Sequence, residues 1–74
     1  MNEDYDIRLV WDNEAKVWIA TSEEIPGLVL EAETADTAIQ KALKAAPELI
    51  ELNGLQKKSA FQFSCLRRES AVFA

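Results

Sequence analysis

Apolar residues change their spacing once in this chain, and that change limits the number of layers it can build. From Tyr5 to Ala32 they alternate or cluster in short runs; from Ala35 to Ile50 they recur every three or four residues. The first pattern is the period of a strand and the second that of a helix. One helix covers one face of a small sheet. The sequence therefore predicts an α+β layer whose other sheet face needs a separate explanation.

The strands read as follows. "YDIRLVW" (5–11) sets Tyr5, Ile7, Leu9 and Trp11 against Asp6, Arg8 and Val10, a half-buried strand. "DNEAK" (12–16) is polar turn material, with Asp12 and Asn13 suited to a hairpin loop. "VWIATS" (17–22) is β-branched and aromatic and pairs back as a second strand. Two registers are open. In one, Trp11 faces Val17, and Val17, Ile19 and Thr21 join the first strand's apolar face. In the other, Leu9 faces Trp18 and Ala20 joins instead. A slip of one residue reverses every side chain.

A Pro-Gly corner follows. Ile25 precedes proline and is pushed toward an extended conformation. Pro26 presets φ for the first corner of a turn, and Gly27 suits the positive φ that the second corner of a type II turn demands. "LVLEA" (28–32) returns as a third strand, and Thr34 is placed to cap a helix with Asp36 in its first turn. Ala35, Ala38, Ile39, Ala42, Leu43, Ala46, Leu49 and Ile50 share helical spacing. Pro47 lacks a backbone donor and crowds the Leu43 carbonyl, so a kink or break is expected near Ala46. Asn53-Gly54 closes the helix. "SAFQFSCLRRESAVFA" (59–74) holds a fourth strand with Phe61, Phe63 and Cys65 on one face. The expected order is β-β-β-α-β, a small antiparallel sheet with one kinked helix, in a single domain over residues 1–74.

Charge and composition narrow the function. Residues 1–36 carry ten acids against two bases, a net −8, while residues 37–74 carry three acids against six bases, a net +3. An acidic front half repels phosphate backbones and attracts basic partners. There is no histidine, the commonest general base and metal ligand. The glycines are Gly27 and Gly54, so no Gly-rich phosphate loop is present. Cys65, the single cysteine, falls on an apolar strand face and reads as a buried thiol. Carboxylate pairs are available, including Glu23/Glu24 and Glu31/Glu33, but Glu31 and Glu33 fall at a strand end before a helix start, where solvation alone accounts for them. Lys57, Lys58, Arg67 and Arg68 form a basic group without a recognition helix or aromatic platform, so direct nucleic-acid binding is not expected. No apolar run approaches the ~20 residues of a membrane helix, and the start of the chain does not resemble a signal peptide. A cytoplasmic domain without cofactor, metal or catalysis is the expectation.

The hairpin, the "IPGL" corner, the strand ending in "EAET" and the amphipathic helix together resemble the HicB-type antitoxin domain. "VWIATSEEIPGLVLEAET" with "APELIELNG" is similar to the short, bacterial HicB-like branch of unknown function. The resemblance runs from Tyr5 to about Phe63. It implies a partial RNase H-like sheet without catalytic machinery, paired as a homodimer, that masks a small basic RNA-cleaving toxin. Full HicB antitoxins add a C-terminal DNA-binding segment, which this sequence does not show, so repression of its own operon is not implied. Ile25, Pro26 and Gly27 correspond to the motif as structural residues, with Thr34 and Pro47 beside them. The acids Glu23, Glu24, Glu31 and Glu33 form the candidate partner surface. Val10, Trp18, Ala20 and Val29, set against their strands' main apolar residues, form the candidate dimer face. The alternative reading is a stand-alone regulatory or structural dimerisation module without a toxin partner.

Overall fold

A computed structural model of the chain describes residues 3–67. The elements are β1 (Asp4–Asp12), β2 (Val17–Thr21), β3 (Val29–Ala32), α1 (Ala35–Leu52) and β4 (Ala60–Leu66), the expected β-β-β-α-β order. The four strands form one sheet in the order β3-β2-β1-β4.

The sheet is mixed rather than antiparallel. β2 runs antiparallel to both β1 and β3, whereas β4 pairs parallel with β1. The cause is the helix. Leaving β3 at one edge, α1 carries the chain back along the sheet, so β4 starts again at the end where β3 started. Parallel strands need such a crossover, and a helix is its usual form.

Neither sequence-level hairpin register is the one found. Leu9 pairs with Ala20, Trp11 with Trp18 and Asp12 with Val17. The loop is therefore the four residues 13–16. Lys16 turns the corner at φ 58° and donates its N–H to the Asp12 carbonyl at 2.8 Å. Asp12 Oδ1 accepts from the Glu14 and Ala15 N–H groups at 3.0 and 3.3 Å, closing the turn from within. This pairing differs by two residues from the second sequence-level register, so it keeps that register's faces: Ala20 joins Leu9.

α1 is one uninterrupted helix through Pro47, not two segments. Its buried residues, Ala38, Ala42, Ala46 and Ile50, keep their four-residue spacing across the proline, so packing carries the helix past it. Pro47 itself is exposed, as is Leu43, so the proline and the turn it crowds lie on the side that water reaches. Thr34 Oγ1 accepts the Thr37 N–H at 3.1 Å at the start. At the end, Gly54 N–H donates to Glu51 and Leu55 N–H to Ile50, with Gly54 at φ 65°: a Schellman motif.

The core is small and lies between α1 and one sheet face. Tyr5, Ile7, Leu9, Ala20 and Ala32 from the strands meet Ala38, Ala42, Ala46 and Ile50 from the helix. The three alanines bring the helix close to the sheet. Ile25 and Leu28, on either side of the Pro-Gly corner, are 0% and 2% exposed and close one end. The corner is thus part of the core. Its Leu28 N–H donates to the Ile25 carbonyl at 3.2 Å and Gly27 has φ 86°, as a type II turn requires. Asn53 Nδ2 reaches the Pro26 carbonyl at 3.4 Å, tying the corner to the end of the helix.

Candidate interaction surface

The other sheet face is uncovered among the described residues. Alternation along the strands places Asp6, Arg8, Val10 and Asp12 of β1 there, with Val17, Ile19 and Thr21 of β2, Val29 and Glu31 of β3, and Gln62, Ser64 and Leu66 of β4. Val10 pairs with Ile19 on one side and with Leu66 on the other, so three apolar side chains cross the sheet in a row. Val10, Leu66 and Val29 are 39%, 52% and 73% exposed. Asp12 on β1 and Glu31 on β3 adjoin this row, and Asp6 on β1 and Glu23 in the loop after β2 lie beyond Arg8, Thr21 and Ser64. Arg8 is the cation of this face.

The four residues expected to form a dimer face divide. Val10 and Val29 are on the open side. Ala20 is fully buried beneath α1, and Trp18 packs against the core. The observed register turns both inward. Trp18 instead pairs with Trp11, ring centroids 5.5 Å apart, and the Arg67 guanidinium lies 4.9 Å from the Trp11 ring. Trp11 Nε1 is buried and finds no acceptor among the described residues.

The four expected partner-surface acids also divide. Glu24 serves the fold. Beyond Thr21 the β2 strand has ended, and side chains of the following loop take over its pairing with β1. Ser22 Oγ donates to the Asp6 carbonyl at 2.7 Å, and Glu24 Oε1 accepts the Asp6 N–H at 2.8 Å. Glu24 Oε2 meets Lys58 Nζ at 3.4 Å, and Lys58 lies over the Tyr5 ring at 4.6 Å. Tyr5 in turn donates its hydroxyl to the Gln56 carbonyl. The Asp6 N–H, and then Lys58, hold the Glu24 carboxyl below its ordinary value against the opposing effect of desolvation.

Glu23 remains exposed. It borders a polar depression of about 710 Å³ with Asp6, Arg8, Thr21, Gln62 and Ser64. Glu31 and Glu33 border a second one, of about 410 Å³, at the far end of the β2–β3 pair, where Lys41 Nζ donates to the Glu31 carbonyl at 3.0 Å. The two acid pairs are therefore not one cluster. No three of the described carboxylates and Cys65 approach closely enough to hold a metal ion. Of the basic group, Lys58 is bound to Glu24, Arg67 rests on Trp11, and Arg68 lies outside the described residues. Cys65 is exposed, not buried, because α1 packs over β2 and β3 and leaves the end of β4 open. No described helix is long and apolar enough to cross a membrane.

The model of the Domain of unknown function DUF1902 matches residues 4–74. The chain belongs to the DUF1902 family. A crystal structure of a hypothetical protein from the extremely thermophilic bacterium Thermus thermophilus is 33% identical to it, with a TM-score of 0.75. That similarity covers 95% of this chain and 99% of the other. A comparison with curated proteins finds no match. In this DUF1902 domain the pieces that sequence reasoning missed are the Ser22–Glu24 brace and the Arg8-centred depression. The signal for the first was the Ser-x-Glu spacing directly after a strand, which puts both side chains toward the same neighbour.

Proposed function

We propose that this DUF1902 domain is a HicB-like, non-enzymatic interaction module that self-associates and presents its acidic open face to a small basic protein, as an antitoxin masks a toxin. The observation that carries the reading is the uncovered sheet face, where an apolar row shares the surface with Asp6, Asp12, Glu23 and Glu31 against the single described strand cation Arg8. An exposed apolar patch rimmed by polar groups is the form of a protein-binding surface. The surrounding charge selects the sign of the partner and speeds its approach. The resemblance of the Ile25–Leu28 corner, the strand before it and the helix after it to HicB antitoxins supports the same reading. Under it, Asp6, Glu23 and Glu31 are the contact acids, and Glu24 is a structural brace.

Co-expression tests this reading. A small basic protein encoded beside this chain should arrest growth alone and be neutralised by the wild-type domain. Neutralisation should fail when Asp6 and Glu23 are both changed to lysine. Salt should weaken that complex and leave self-association nearly unchanged, because charge drives only the first. A neighbour that is neither basic nor toxic, or one neutralised equally well by the charge-reversed domain, contradicts the proposal.

A further inference from the structure

The two edges of the sheet differ in how they are protected. β3 is four residues long, carries Glu31, and has its Glu31 carbonyl occupied by Lys41. Short length and charge are the means by which proteins keep an edge from pairing. β4 has neither. It is seven residues long, its side chains "AFQFSCL" hold no charge, proline or glycine, and no strand among the described residues lies on its outer side. A second feature marks the same edge. α1 sits over β2 and β3, so Phe61 and Phe63 pack against the core but stay partly exposed, and Cys65 is exposed.

We propose that β4 is an association edge that pairs antiparallel with β4 of a second copy, joining two four-stranded sheets into one of eight strands. This specifies the self-association of the proposed function and rests on that reading only for the existence of a self-complex. A second copy is the occupant for three reasons. A neutral strand meets its own copy without like charges facing along its length. A two-fold pairing of β4 with itself is closed, whereas pairing of β4 with β3 would continue without end, and Lys41 obstructs β3. The partly exposed Phe63 of each copy falls at the middle of the strand, near the two-fold axis of such a pair, where the other copy's aromatic residues complete its cover. Of the described cations nearest the strand, Lys58 is engaged by Glu24 and Arg67 lies over Trp11. The open face stays free for a different partner.

Sedimentation of the full chain at micromolar concentration provides the test, using Ser64→Glu and Ser64→Lys. Ser64 is exposed on the open face near the middle of β4, so each variant places like charges close together across the two-fold. Each alone should raise the dimer dissociation constant about two- to fivefold, since like charges at neighbouring cross-strand positions oppose pairing. An equimolar mixture should restore dimerisation, which unfolded variants would not do. Val29→Lys, on the open face away from β4, should leave the dimer intact. A dimer unaffected by both Ser64 variants but dissociated by Val29→Lys overturns the edge while leaving self-association standing. A wild-type monomer overturns both. Failure of the mixture to restore the dimer also overturns the edge.

Discussion

Replacing Gly27 separates backbone strain from packing at the corner that closes the core. Its φ of 86° lies in the left-handed region, and a Cβ built there would stand 3.5 Å from Leu49 Cδ2, an ordinary contact. Alanine therefore carries mainly the backbone strain, ~1–2 kcal/mol. Restricting the unfolded chain offsets about 0.4–1 kcal/mol of that, leaving a net loss of about 1 kcal/mol. Valine is β-branched, an outlier at this φ, and adds two methyl groups beyond a Cβ already in contact with Leu49; about 2–3 kcal/mol is expected. In a domain of this size each kcal/mol moves the melting temperature by roughly 4–8 °C. Thermal melts should thus show Gly27→Ala down by several degrees and Gly27→Val down by on the order of 10–20 °C. Gly54→Ala is the control: φ is 65° and nothing lies within 4 Å, so the loss there is strain alone. Gly27→Val as stable as wild type would refute the corner's role in the core.

Two further outcomes are expected. Glu24 has a carboxyl depressed below its ordinary 4.5, so its stabilising contribution is full above that pH and is lost as pH falls through the folded value. Urea melts should therefore show Glu24→Gln less stable than wild type at neutral pH, with the gap closing in acid; a gap independent of pH contradicts the brace. Native Cys65 should react with a thiol reagent about as fast as it does in the denatured chain, if the protein is held dilute enough to be monomeric, and protection in that state would contradict the exposed end of β4.

What the sequence revealed depended on how strongly each residue restricts its own backbone. Pro26, Gly27, Thr34 and Asn53-Gly54 each favour one local geometry, and the corner and both helix caps could be read from them. The hairpin register could not, because β2 is apolar on both faces and the left-handed residue of its loop is Lys16, a type that gives no warning. Pro47 misled for the opposite reason: a local rule was overridden by the four-residue spacing of buried residues from Ala38 to Ile50. The parallel β4 was implicit in the long helix before it, since a crossover of that length returns the chain to its starting end. Glu24 looked like a surface acid because its partners, Asp6 and Lys58, are far away in sequence. The candidate dimer face failed at Ala20 and Trp18 for want of the register alone.

The most direct test of the open face as a working surface is chemical-shift mapping during titration with a cationic amphipathic peptide of alternating leucine and arginine. Shifts are expected to concentrate at Asp6, Val10, Ile19, Glu23, Val29 and Glu31, and to weaken as salt is added. Shifts confined to the outer helix face, at Asp36, Gln40 and Glu48, would contradict the account, as would binding that salt leaves unchanged.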